Sequence, residues 1–194
     1  MRRAVLILII PLLVGISGTA STKSKPTLSQ TPLTSEDLEL YGIFLDWFVG
    51  KGKELVNFSE RTLPLTLADT DNEGPCLEGI KLKRSAEAAR TIHMLPTSIA
   101  DGRAIHLVDP SKHKLKDPGK SIKKGDSVGD AVAAGFRAGL LSVSEIAFDE
   151  AHHFAAFKFS FICGSLCGRG ETLIFEKIDG KWTKSNRACP AWIS

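Results

Sequence analysis

The chain has 194 residues, 43% of them hydrophobic and 24% charged, with four cysteines and a formal net charge of +3. That balance describes a globular protein and excludes a disordered tail or a fibrous repeat. So small a charge leaves no electrostatic footprint for nucleic acid.

Met1-Arg2-Arg3 precedes thirteen apolar, Gly or Pro residues from Ala4 to Ile16, and Gly18-Thr19-Ala20 supplies small residues at a cleavage point. A charged start, a short apolar stretch and a small-residue exit make a secretory signal peptide. A spanning helix needs about 20 apolar residues, and this stretch, with Pro11 inside it, is too short. The sequence therefore predicts a signal peptide over residues 1–20 and an exported mature chain, periplasmic or extracellular, with no membrane attachment after cleavage. Removal leaves 174 residues, one domain's worth, and takes away Arg2 and Arg3, so the formal charge falls to +1.

Residues 21–33 are polar and contain Pro26 and Pro32, which predicts a flexible leader ahead of a single domain over 34–194. Thr34-x-x-Asp37 reads as a capping box. Leu38, Tyr41, Leu45 and Phe48, widened by Phe44, line one helical face until Gly50 and Gly52, which predicts a helix over 35–49. Glu54 to Leu67 has room for one or two strands, and Asp69 to Gly79 is a loop carrying Cys76. Ser85 to Leu95 suits a short helix stopped by Pro96. Ala104 to Val108 is a strand, and the lysine-rich run from Ser111 to Lys124 a solvated basic loop. Ser127-x-x-Asp130 caps a third helix, with Val132 and Phe136 on one side and Gly139 at its end.

From Leu140 the period becomes two. Leu141, Val143 and Ala147, then Ala155, Phe157, Phe159 and Phe161, mark alternating strands that lead into Cys163. Thr172 to Ile178 returns, Asp179-Gly180 makes a hairpin turn, and Lys181 to Arg187 follows as a strand. The predicted fold is α+β: an antiparallel β-meander in the C-terminal half with two or three helices packed on one face.

All four cysteines, Cys76, Cys163, Cys167 and Cys189, lie in the mature chain, and an even count in an exported protein favours disulfides. Of three possible pairings, Cys163–Cys167 with Cys76–Cys189 is the favoured one. The first closes a short local loop and the second a loop of over a hundred residues.

Three segments of the C-terminal half resemble a group of exported bacterial proteins without an established activity. They are Phe136-x-x-Gly139-Leu-Leu-Ser-Val-Ser-Glu-Ile-Ala-Phe148, the tip Cys163-Gly-Ser-Leu-Cys167-Gly-Arg-Gly170, and Phe175-Glu-Lys-Ile-Asp-Gly-Lys-Trp182. In that group a strand, a CGxLCGxG tip and an EKxxGKW hairpin follow one another. The resemblance covers roughly the last sixty residues and implies a shared fold and an exported setting. It supplies no catalytic residue.

No catalytic, cofactor-binding or metal-binding motif emerges. Gly119-Lys120-Ser121 has Lys114 where a phosphate-binding loop needs glycine. Ser142, Ser144, Ser160 and Ser165 stand outside any nucleophile elbow. His93 and His106 have no partner at ligand spacing, and His152-His153 would face opposite sides of a strand. Asn57-Phe58-Ser59 fits a glycosylation sequon in a setting that disfavours its use. Trp182 and Trp192 flank Cys189 and read either as packing on a disulfide or as an aromatic surface for a sugar or peptide.

The leading expectation is a non-enzymatic binding or structural module for an envelope or extracellular ligand. The alternative is a hydrolase-type enzyme drawing an acid–base pair from Glu145, Glu176, Asp46 or His153. The third is thiol–disulfide or metal chemistry at Cys163 and Cys167.

Overall fold

The computed structural model describes residues 25–50, 54–65, 74–83, 88–165 and 167–194. The expected signal peptide and the start of the leader lie outside them. Helix α1 (Ser35–Val49) begins on the expected capping box: the Thr34 hydroxyl accepts from the Asp37 N–H at 3.1 Å, and the Asp37 carboxylate accepts from the Thr34 N–H at 2.9 Å. Each bond satisfies an end group that the helix ladder leaves open. Gly50 ends it with a positive φ of 59°.

Eleven strands follow the chain order among the described residues: β1 (Thr27–Leu28), β2 (Val56–Ser59), β3 (Leu82–Lys83), β4 (Thr91–Ile92), β5 (Ile105–Val108), β6 (Leu140–Val143), β7 (Ala147–Asp149), β8 (Phe154–Gly164), β9 (Cys167–Ile178), β10 (Lys181–Lys184) and β11 (Ala191–Ile193). Nine make one sheet, in the order β10-β9-β8-β6-β2-β5, with β11 beside β9, β7 beside β8 and β3 beside β7. The C-terminal strands pair antiparallel, as expected. The sheet as a whole is mixed, because β2 lies parallel to both β6 and β5. At the β9–β10 hairpin Asp179 and Gly180 both have positive φ, 49° and 76°, the two left-handed residues of a tight hairpin turn.

The core lies between α1 and one face of the sheet. Leu40, Tyr41, Phe44 and Leu45 meet Phe58, Leu141, Val143, Phe157, Phe175 and Trp182, all buried. Phe157 is central, with Tyr41 and Phe44 edge-on at 5.2 and 5.6 Å and Phe175 stacked at 5.4 Å. Such pairs add directional attraction to the burial of ring area. The Tyr41 hydroxyl donates to the Ser144 carbonyl at 2.7 Å and ties α1 to the bend between β6 and β7.

Two sequence expectations change. Ala88–Arg90 is a single 3-10 turn and Thr91–Ile92 is strand β4, pairing parallel with β1, so the helix expected from Ser85 to Leu95 is absent from its described part. The β-branched pair Thr91-Ile92 prefers extended backbone, and residues of the expected leader supply its partner. Within the basic loop, Pro118–Lys123 forms helix α2. The Asp117 carboxylate accepts from the Gly119 and Lys120 N–H groups, and Pro118 at the first helical position has its φ already set. Helix α3 (Val128–Arg137) starts at Ser127 as expected. Both α1 and α3 reach the same sheet face, α3 through Phe136 on Phe161, while α2 packs beside α3.

Candidate functional site

Beside the β8–β9 tip the α1 side of the sheet opens into a groove of about 620 Å³. Small-ligand sites occupy roughly 300–1,000 Å³. Phe48, Leu55, Val132, Phe136, Phe161 and Ile193 form its apolar walls, and Pro118, the Cys163–Cys167 disulfide and the charged side chains Glu54, Arg137 and Arg169 also line it. Leu55, Phe136 and Ile193 are 58%, 54% and 84% exposed, so large apolar side chains gather here in contact with water. Scattered exposed apolar residues are ordinary, but a contiguous set marks an interaction surface.

The walls follow from local packing. Helix α3 turns its small residues, Ala131 and Gly135, toward the protein. A Cβ at Gly135 would lie 2.7 Å from Pro118 Cγ, so only glycine lets α2 come this close. Val132 and Phe136 therefore face the groove, and the Phe136 ring stacks on Phe161 at 5.8 Å. The side-chain amide of Asn57 donates to the Arg137 and Gly139 carbonyls, both at 3.0 Å, and pins the end of α3. Across the groove, Asp117 Oδ2 accepts from the Ser165 hydroxyl at 2.8 Å and links α2 to the tip. That hydrogen bond is the main force holding the Asp117 carboxyl below the usual aspartate range. Burial opposes it, while the Ser165, Gly119 and Lys120 N–H groups add to it.

Arg169 gives the groove its electrostatic character. Its guanidinium lies 5.3 Å from the Phe48 ring centre and 5.8 Å from that of Phe159. The ring faces attract the cation, and no carboxylate pairs with it among the described residues. Glu54 also lines the groove but forms no ion pair with Arg169, and a cation resting on ring faces in this way suits an anionic group joined to an apolar body.

The sequence-nominated acids and bases go elsewhere. Glu145 is buried, with both carboxylate oxygens 2.9 Å from His93 Nδ1 and a further bond from the Thr62 hydroxyl. Thr62 also accepts from the His93 N–H at 2.8 Å. Asp46 accepts from the Arg103 guanidinium at 2.6 and 3.1 Å. His153 is an exposed turn residue whose N–H donates to Asp149 Oδ1 at 2.7 Å. Glu176 lies on β9 opposite Phe154 and Thr183. None of the four lines the groove.

Cys163–Cys167 and Cys76–Cys189 pair in the favoured connectivity, each with Cα atoms 5.1 Å apart. The two tryptophans beside Cys189 separate. Trp182 is core, its indole N–H donating to Glu36 Oε1 at 3.1 Å, whereas Trp192 is 44% exposed. Glu36 also accepts from Lys177 and bonds His152 Nδ1. Burial raises the Glu36 pKa, but the hydrogen bonds from Lys177, His152 and Trp182 outweigh it and hold the carboxyl below its ordinary value.

Among the described residues no helix is long and apolar enough to cross a membrane, and no three His, Cys, Asp or Glu side chains group as metal ligands. Sequence reading missed Arg169, Leu55 and the outward aim of Val132 and Phe136. The spacing of Ala131 and Gly135, four apart like Val132 and Phe136, is the signal that places the small pair inward. No protein-family model matches the chain, and no curated protein or solved structure matches it significantly.

Proposed function

We propose that the chain is an exported, disulfide-stabilised, non-enzymatic binding module, and that its groove takes an amphiphile with an apolar chain and an anionic head group. The observation that carries this reading is Arg169, held over Phe48 and Phe159 in an apolar groove without a carboxylate partner among the described residues. The chain of the ligand would lie against Phe136, Val132 and Leu55, and the head group on the guanidinium. The N-terminal pattern of residues 1–20 and two disulfides support an oxidising compartment outside the cytoplasm. The Cys163–Cys167 bridge serves as wall rather than as reagent in this reading.

Dodecanoate and dodecyltrimethylammonium, titrated calorimetrically below their micelle concentrations, share a chain and differ in head-group charge. The native protein is expected to bind dodecanoate at least tenfold more tightly. Arg169→Ala should erase that preference, and Phe136→Asp should weaken both probes. Equal affinity of the native protein for the two, or a Phe136→Asp variant that binds as before, overturns the proposal.

A further inference from the structure

We infer a second binding site, for a neutral saccharide, on the sheet face opposite α1. Register places the residues. Ser142, Ser160, Gly170 and Trp192 lie opposite one another across β6, β8, β9 and β11, so their side chains share one face. The neighbouring rung carries Lys158 and Thr172. Phe157, Phe159 and Phe161 alternate with these residues and point to the α1 side. Together Ser144, Lys158, Ser160, Thr172 and Trp192 line a hollow of about 240 Å³, with Glu171 at its edge and Leu63, Pro64 and Pro190 as further wall.

Two independent features mark this hollow as built for a ligand. The first is Thr172. It is 3% exposed, yet its hydroxyl is the one buried side-chain polar atom without a hydrogen-bond partner among the described residues. Buried hydroxyls are normally satisfied, and an orphan asks for an explanation. The second is the setting of Trp192. An added Cβ at Gly170 would fall 2.5 Å from the indole Nε1, so glycine there lets the ring settle against the strand as a wall of the hollow. No side-chain hydrogen bond or ion pair engages Ser160 or the Trp192 indole N–H among the described residues.

The chemistry of these groups selects the ligand class. An aromatic face accepts the C–H side of a pyranose ring, while hydroxyls and an indole N–H exchange hydrogen bonds with ring hydroxyls. Glu171 pairs with Phe159 and so turns to the α1 side, which leaves hydroxyls and an indole as the main polar groups of the hollow and suits a neutral ligand. The volume suits a single sugar ring.

The three tryptophans, Trp47, Trp182 and Trp192, supply three indole N–H resonances for a direct test. Methyl β-glucoside, methyl β-galactoside and methyl N-acetyl-β-glucosaminide would each be titrated to about 50 mM, which saturates a site whose Kd is about 1 mM. At least one is expected to move the Trp192 resonance saturably and leave Trp47 and Trp182 in place. Ser160→Ala and Thr172→Val should each weaken that binding at least fivefold. Thr172→Val should also unfold at no lower urea concentration than the native protein, because it removes an unpaired hydroxyl without changing shape. Linear shifts of all three resonances with every sugar overturn the inference, and so does saturable binding that both variants retain.

Discussion

Glu145 is the charged side chain buried most completely among the described residues, and His93 faces it at 2.9 Å. Removing one member of a buried hydrogen-bonded pair leaves its partners unsatisfied, a loss of about 1–3 kcal/mol and more where a charge is left behind. The His93 side chain retains 18% exposure, so water offsets part of that cost. Glu145→Ala is expected to lose about 1–3 kcal/mol of unfolding free energy in urea titration. Glu145→Gln keeps an oxygen for His93 Nδ1 and for the Thr62 hydroxyl, so less than half of that loss is expected. Equal losses in the two variants would assign the effect to the carboxylate charge, which both remove, rather than to shape or to the retained oxygen. Part of this was legible from sequence: a carboxylate among apolar strand residues marks Glu145. Its partner was not, because His93 lies 52 residues away and the alternation of β6 says nothing about what crosses the bend after it.

At the scale of elements, the two disulfides do different work. Cys163–Cys167 closes a tip only four residues apart in sequence, next to the groove. Cys76–Cys189 spans 113 positions and packs with Ala156 and Ile174 on the second face of the sheet, away from α1. In the loop-entropy account the long closure stabilises by about 5 kcal/mol and the short one by about 2 kcal/mol, both upper values. The double variant Cys76→Ser with Cys189→Ser should therefore lower the urea midpoint more than Cys163→Ser with Cys167→Ser. The tip variant should instead show its main effect on dodecanoate affinity. The reverse order of midpoints would mean that the tip organises the sheet. Helix α2 shows why element reading is partial. Asp117-Pro118 is a sound helix start, but six lysines and Gly119 in the same run read as solvated loop. Packing on α3 and the bond to Ser165 decide the matter, and neither is local.

For the whole molecule, periodicity revealed β6 to β10 because each antiparallel neighbour follows closely along the chain. It could not reveal β2, which enters between β6 and β5 in parallel, since such pairing joins segments some fifty to eighty residues apart. The result is a sheet in which the long interior strand β8 is paired with β9 along one edge and with β6 and β7 along the other. Its Ala155, Phe157 and Phe159 are buried under α1. Backbone amides paired on a covered strand exchange only when the whole structure opens, whereas short rim strands open locally. Hydrogen exchange followed by NMR should therefore find the slowest amides in the centre of β8. The two-residue pairing of β1 with β4, and β11 with its exposed side chains, should exchange faster. If β11 proved as protected as β8, Trp192 would move only with the entire sheet. A saccharide would then meet a preformed hollow rather than a rim that opens and closes around it.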